Sequence, residues 1–156
     1  MPSFVELEPT LADDALAIVR RSITVVRGGE RLPLPVGTRL ALIDCLLPRW
    51  SRVEEAVERA ALLRGLVEEA FPAATSVAVD PEPTVDDLAK ARHLAAAADM
   101  VLLVTRDAQR IAHQAQLGHE LVTSGVQLIH AAVRGPYDGE VIPGTPTTLV
   151  TYGDPP

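Results

Sequence analysis

The chain has 156 residues and a formal net charge of −7, and Lys90 is its only lysine. A chain of this length is typical of a single domain, which buries about 70% of the surface that it exposes when unfolded. An acidic chain with so few cations offers no basic patch that could neutralise a run of phosphates. The composition therefore argues against nucleic-acid binding.

Cysteine content and apolar patterning set further limits. Cys45 is the only cysteine, which excludes an internal disulfide and a clustered-cysteine metal site, and its place in an apolar run predicts a small buried side chain. No stretch reaches the roughly 18 apolar residues that span a membrane, and the first residues lack the basic-then-apolar order of a signal peptide. We therefore expect a cytoplasmic protein that does not bind membranes.

The first part of the chain predicts a helix followed by a hairpin. Residues 10–13 are an N-cap signal for a helix whose apolar residues recur at helical spacing. Apolar segments at residues 22–26 and 32–34 then flank a Gly28-Gly29 pair. Because two glycines can adopt positive φ at both central positions of a turn, this pattern predicts a short β-hairpin.

From residue 39 onward, apolar runs that read as buried strands alternate with amphipathic helices. The helices have N-terminal signals: a capping box at Ser51 to Glu54, a second cap at Thr84, and Asp107 before the helix at residues 108–123. The predicted strands are residues 39–47, 75–79, 100–105, 126–133 and 147–152.

This alternation predicts an α/β fold. Because each right-handed crossover lays its helix on one side of a parallel sheet, we expect a flavodoxin-like α/β sandwich. It has a mainly parallel sheet of about five strands, helices on both faces and the short N-terminal hairpin. No repeat or linker divides the chain, so residues 1–156 are expected to form one domain.

The stretch at residues 126–137, VQLIHAAVRGPY, joins a buried strand to a polar loop. A Ser-Gly step precedes its eight largely apolar residues and a Gly-Pro step follows them, as in a strand buried on both faces. The loop opens at the carboxyl end of this strand. In open parallel sheets ligands and partners sit at that edge, so we look for function there.

Two segments in the right order resemble the C-terminal α/β domain of glycoside hydrolase family 3, most closely its bacterial β-N-acetylhexosaminidase branch. Residues 120–156 share a small-residue-Gly step, an apolar strand, an Arg-x-Pro-Tyr-Asp turn, a Pro-flanked loop and a strand ending in Thr-Tyr-Gly. Residues 17–34, AIVRRSITVVRGGERLPL, resemble the segment that leads into that domain. The resemblance covers roughly the whole chain, and it makes residues 1–37 the linker from an N-terminal barrel.

The resemblance implies a non-catalytic accessory domain that braces a catalytic barrel. In the hexosaminidase branch the nucleophilic Asp and the acid/base His both belong to the barrel, and hydrolysis is retaining. In many β-glucosidase-type members this domain lends an acid to the active site. We therefore expect no catalytic residue, cofactor or metal in these 156 residues, and a glycosidase barrel as the partner.

The resemblance also indicates which loop residues face the barrel or its substrate. Arg134, Tyr137 and Asp138 match the family's loop residue by residue, whereas Gly135 stands where Asn or Ser is more usual. We add Arg106 and Asp107, which end the neighbouring strand, to this candidate surface. The competing interpretation is a simple turn, in which Pro136 fixes φ and Asp138 bonds its own backbone.

Other constellations carry little chemistry. His113 and His119 are six residues apart and point to different sides of a helix, and His93 and His130 lie on other elements, so no histidine pair predicts a metal site. Asp44 and Asp107 are the carboxylates expected near the sheet's carboxyl edge, where they imitate part of a phosphoryl-receiver site. The single lysine lies on a helix, and residues 47–53 lack the Ser, Thr and Gly of a phosphate-binding flavodoxin loop.

Two alternatives stay open. The chain is also compatible with a free-standing flavodoxin-like module that binds a small ligand or a partner protein. A degenerate domain that serves only as an interaction surface is a further possibility, and a stable homodimer would be its sign.

Overall fold

The structure, a computed structural model, describes residues 9–48 and 56–152. Five helices and six strands follow one another in these residues, together with a short 3₁₀ helix after the first strand. In chain order they are α1 Pro9–Ser22, β1 Thr24–Arg27, β2 Leu40–Cys45, α2 Ala56–Ala70, β3 Thr75–Val79, α3 Val85–Ala97, β4 Met100–Arg106, α4 Ala112–Thr123, β5 Leu128–Val133, α5 Asp138–Val141 and β6 Thr147–Val150.

The strands form one sheet in the order β1-β6-β5-β4-β2-β3. All pairings among β2 to β6 are parallel, and only β1 runs antiparallel to its neighbour β6. When the parallel strands β2 to β6 are renumbered 1 to 5, their order across the sheet is 2-1-3-4-5. This is the flavodoxin-like order. The predicted α/β class and the five parallel strands are therefore confirmed. The switch point, where the strand order reverses, lies between β2 and β4.

The predicted N-terminal hairpin is wrong in its pairing. Its first arm is β1, which pairs with β6 at the far end of the chain, with Thr24 beside Val150. Its second arm, residues 32–34, is not a strand, because Pro33 removes a backbone donor from an already short segment. Gly28 does adopt positive φ, at 71°, and a Cβ there would collide with the backbone of residue 146.

The helix signals in the sequence have mixed outcomes. The cap at Thr84 is confirmed: its hydroxyl accepts a bond from the Asp87 amide at 3.2 Å, and the Asp87 carboxylate accepts one from the Thr84 amide at 3.1 Å. The capping box at Ser51 to Glu54 lies outside the described residues. The described part of the chain contains no helix long and apolar enough to cross a membrane.

One face of the sheet carries the main apolar core. Ile43, Leu103 and Leu128 lie on this same face of three neighbouring strands. They pack with buried residues of α3 and α4. Gly118 on α4 leaves room for Ile142, because a Cβ at this glycine would overlap the Ile142 side chain. The segment after β5 is thereby fixed against α4 on this face.

The opposite face of the sheet is covered by α2, which contacts β2 and β3. Side chains of Leu42 and Asp44 line a space beneath this helix together with Ala61 and Arg64. Helices therefore lie on both faces, as the alternation of elements predicts. All of the strands from β2 to β6 end at one edge, the carboxyl edge, where the polar side chains are concentrated.

Candidate functional site

A buried ion pair occupies the switch point between β2 and β4. Arg106, at the end of β4, donates from Nη1 to Oδ1 of Asp44, and its Nη1 also lies 3.0 Å from the carbonyl oxygen of Cys45. Both charged side chains are almost fully buried. Burial raises the pKa of the adjacent Cys45 thiol to about 12, so this thiol is neutral and unreactive.

Gln114 of α4 also fills the switch point between β2 and β4. Its side-chain oxygen accepts a bond from the Arg106 amide at 2.8 Å, and its nitrogen donates to the carbonyl of Leu46 at 3.3 Å. Gln114 is fully buried, and the sequence patterns did not single it out. The position where proteins of this fold hold a ligand is therefore filled by the chain's own side chains.

A second polar cluster is centred on Asp138, the first residue of α5, which is 2% exposed. Its Oδ2 accepts bonds from the Ala108 amide at 2.7 Å and from the Thr105 hydroxyl at 3.1 Å. Its Oδ1 accepts one from the Gln109 amide at 3.3 Å. One carboxylate thus ties the loop that follows β5 to the loop that follows β4.

His130 extends this cluster into the core. Its Nε2 lies 2.8 Å from the Thr105 hydroxyl oxygen, and the imidazole is fully buried. Since the single hydroxyl hydrogen of Thr105 goes to the Asp138 carboxylate, Nε2 of His130 must be the donor to Thr105. Burial lowers the pKa of His130 to about 4, so the ring is neutral near pH 7.

Two sequence interpretations at this edge are wrong. Asp107 does not cap α4, because the chain makes a turn there, with the amides of Arg110 and Ile111 bonded to the Asp107 carbonyl, and the helix begins only at Ala112. Nor does Asp138 bond its own loop: its carboxylate bonds the amides after β4, which lie some thirty positions away in the chain. Asp138, and not Asp107, therefore accepts the hydrogen bonds of the Ala108 and Gln109 amides in this turn.

The five residues of the candidate surface divide into two sets. Arg106 and Asp138 are buried in the clusters above, whereas Arg134 is exposed and Tyr137 is 70% exposed. Asp107 is half-buried. The structure thus brings all five to one edge, and only the latter three have side chains that solvent reaches.

Asp107 and Arg134 share an uncommon backbone conformation. Arg106 pairs with Val133 in the sheet, so Asp107 and Arg134 are the next positions on adjacent strands. Their φ angles are 64° and 77°, and they are the non-glycine residues with positive φ among those described. Such conformations persist only where surrounding contacts hold them, and they often occur at functional sites.

The histidines do not converge. His93 and His119 are exposed on α3 and α4, His130 is buried in β5, and His113 is half-buried, with a pKa lowered by that burial. Across residues 9–48 and 56–152, no three His, Cys, Asp or Glu side chains come together in a way that could hold a metal ion.

An open groove of about 660 Å³ lies beside the switch point. It is bordered by Pro48, by residues 80–82 after β3, and by residues 110–113 before and within α4. Its lining mixes carboxylates with Arg110 and His113. The groove is large enough for a small ligand to enter.

Strand order and edge geometry together define a flavodoxin-like α/β domain whose switch point is closed by an internal ion pair. No protein-family model matches the chain, and no curated protein does. Solved structures do match. The chain is similar to a glycoside hydrolase family 3 β-N-acetylglucosaminidase from Paenibacillus sp. str. FPU-7, with a TM-score of 0.83 and 22% identity over 100% of this chain and 30% of that one.

Two further solved structures have the same fold. A β-glucosidase from Listeria innocua in complex with gluconolactone aligns with a TM-score of 0.73 and 18% identity, over 96% of this chain and 24% of that one. The β-N-acetylglucosaminidase from Thermotoga maritima aligns with a TM-score of 0.58 and 16% identity, over 93% and 28%. The chain therefore spans less than a third of the length of these glycosidases.

Proposed function

We propose that this chain is the C-terminal accessory domain of a family 3 glycoside hydrolase of the β-N-acetylhexosaminidase type, and that it braces a catalytic barrel. The observation that carries the proposal is the coverage: 100% of this chain matches only 30% of the Paenibacillus enzyme. The motifs at residues 17–34 and 120–156 support it independently. We propose a cytoplasmic setting for the assembly.

The carboxylates of this domain support a non-catalytic role. Most retaining glycosidases use two carboxyl groups about 5 Å apart on either side of the scissile bond. Asp44 is buried against Arg106, and Asp138 is bonded to backbone amides. These contacts leave Asp107 without a second free carboxylate beside it in the described clusters, so we assign bond cleavage to the barrel.

Exposed apolar side chains indicate where the barrel would bind. Among the described residues, six of the eleven exposed large hydrophobic or aromatic side chains lie in one short segment, residues 18–36. All four residues of the edge strand β1, including Val25 and Val26, have exposed side chains, so this strand is largely uncovered. Such a concentration is typical of a surface that binds another protein.

This apolar segment and the candidate loop lie toward the same edge of the domain. Thr24 pairs with Val150, and Val150 pairs with Ala132, so the start of β1 lies level with the carboxyl end of β5. The loop carrying Arg134 and Tyr137 follows directly. We propose that the barrel contacts both, with residues 18–26 supplying apolar area and the loop supplying polar contacts near the substrate side.

A binding measurement tests this proposal. The gene region around Met1 should encode a family 3 barrel, and isothermal calorimetry of that barrel with this chain should detect a complex. Replacing Ile18 and Val25 by serine should weaken binding by at least about tenfold, because both are exposed apolar contacts of the proposed interface. The matched control is Val85→Ser, since Val85 is 81% exposed on α3, outside the proposed surface.

The proposal fails if the control weakens binding as much as the Ile18 and Val25 substitutions do, or if the barrel and this chain do not associate. A second function is favoured by the open groove beside the switch point: a free-standing module that binds a small ligand through Arg110 and His113. Native mass spectrometry distinguishes the two, because a small molecule retained through purification supports the module. A homodimer observed in the same spectra would indicate an interaction-only domain.

A further inference from the structure

We propose that Asp138, Thr105 and His130 form a buried latch that holds the two loops of the carboxyl edge together, and that the latch opens when His130 takes up a proton. The latch goes beyond the proposed function and does not depend on it, because all of its parts lie within this chain.

The latch joins the loop that follows β4 to the loop that follows β5. Asp138 bonds the amides of Ala108 and Gln109 from across the edge. On each side of this contact stands a residue with positive φ, Asp107 in one loop and Arg134 in the other. Because such backbone conformations need support from surrounding contacts, loss of the Asp138 bonds should release both loops.

The direction of the hydrogen bonds shows where a proton would bind. His130 donates from Nε2 to Thr105, which in turn donates to Asp138, so Nδ1 of His130 carries a lone pair. Nδ1 is buried and has no hydrogen-bond partner, and the same holds for the hydroxyl of Thr148. His130 and Thr148 are paired residues of β5 and β6, so the two groups without partners belong to neighbouring residues of the sheet.

The surroundings of His130 offer little to stabilise a cation. Asp138 on α5 is its nearest charged neighbour in the network, two hydrogen bonds away. On the neighbouring strands of the same face stand Thr105, Thr148 and the neutral thiol of Cys45, while Arg106 and Asp44 project from the opposite face. The buried residues of α4 are Gln114, Leu117, Gly118 and Leu121, none of which titrates.

Protonation should therefore favour an opened edge. A charged imidazole is hydrated only when the loops separate and admit water. Burial in the closed edge therefore lowers the pKa of His130, and the proton binds more tightly when the edge is open. The closed latch is then fully stable above about pH 6.5, the ordinary pKa of histidine, and weakens as the pH falls toward 4. Arg134 and Tyr137 would move with the released loop.

Amide hydrogen exchange followed by NMR on the full chain tests the latch. The amides of Ala108 and Gln109 should be less protected than that of Leu103 in β4 at every pH, because the edge opens locally. Their protection, corrected for intrinsic exchange, should fall on the order of tenfold between about pH 7 and about pH 5. His130→Gln keeps an N–H donor for Thr105 but does not titrate, so it should remove this fall and leave the protection near pH 7 in place.

Three results would overturn the proposal: protection that does not change with pH, an unchanged pH response in His130→Gln, or equal protection of Leu103, Ala108 and Gln109. If the variant does not fold, the ¹⁵N spectrum of the wild-type imidazole decides. The latch requires the Nε2–H tautomer near pH 7 and a titration midpoint below about pH 5. An Nδ1–H tautomer or an ordinary midpoint would rule it out, whatever the outcome of the barrel-binding experiment.

Discussion

The two halves of the carboxyl edge use buried charge in opposite ways. Between β2 and β4, Arg106 and Asp44 neutralise each other and close the position where this fold commonly binds ligands. Between β4 and β5, the buried carboxylate of Asp138 bonds backbone amides and supports a loop whose Tyr137 is exposed. The first half is therefore scaffold, and the second presents a surface. This difference fits the proposal that the domain binds a partner protein.

The largest effect should come from breaking the closed half. Arg106→Met removes the cation that the structure pairs with the buried Asp44 carboxylate and should lower the free energy of unfolding by about 3–5 kcal/mol. Urea denaturation followed by circular dichroism measures this loss. The double variant Asp44→Ala/Arg106→Met is the control, since it removes both charges of this pair and should be more stable than Arg106→Met alone. A double variant at least as unstable as the single one would show that charge is not the cause.

The acid response of His130 is the next effect in size. Its pKa of about 4 in the folded chain lies below the ordinary 6.5, so the unfolded chain binds the proton more tightly. The contribution of neutral His130 to the free energy of unfolding is fully present above pH 6.5. It falls by about 3 kcal/mol as the pH decreases to about 4. Hydrogen bonds from Arg39 and Arg92 lower the pKa values of Asp99 and Glu120. These two carboxylates therefore lose their contributions to the free energy of unfolding only at still lower pH.

Denaturation between about pH 7 and about pH 4.5 reports on the histidines with lowered pKa values, His130 and His113, and comparison with a His130 variant separates the two. His130→Gln should flatten the stability profile there. A profile that stays steep in this variant would assign the acid response to another group.

A matched pair of aspartates sharpens the contrast within the open half. Asp138→Asn removes the charge that accepts three hydrogen bonds and should cost about 1–3 kcal/mol. Asp107→Asn should change stability by less than about 0.5 kcal/mol, because asparagine tolerates positive φ and no cap is lost. Equal costs in thermal or urea unfolding would contradict the different roles given to the two residues.

The smallest effect on stability is expected at the surface. Tyr137→Ala should change the free energy of unfolding by less than about 0.5 kcal/mol, since the ring is 70% exposed. The same change should weaken barrel binding by about tenfold if the loop belongs to the interface. A large loss of stability with unchanged binding would make Tyr137 a structural residue instead.

The parts of the fold that rest on local periodicity were predictable. Strands such as Thr75–Val79 and the Thr84 cap follow from residues close together in the chain. The pairing of β1 was not predictable, because its partner β6 lies more than a hundred residues later in the chain. The glycine at position 28 indicates a turn but gives no information about which strand β1 pairs with.

The polar clusters show the same limit at the site. Asp44, Arg106 and Asp138 could be picked from strand ends and from the loop motif. The partner Thr105 could not, since it lies within an apolar strand and its pattern does not differ from that of a packed residue. Gln114 was missed as well. The polar Gln among the core-facing positions of α4 was the one available signal.

We propose that these residues form a scaffold and that the reactive part of the enzyme lies in a barrel. Hydrolysis of a chromogenic N-acetylglucosaminide by the purified 156-residue chain tests it most directly. We predict no turnover by the chain alone, and turnover when the chain is joined to its barrel. Turnover by the chain alone that disappears in Asp44→Asn or Asp107→Asn would show that the reactive groups lie within these residues.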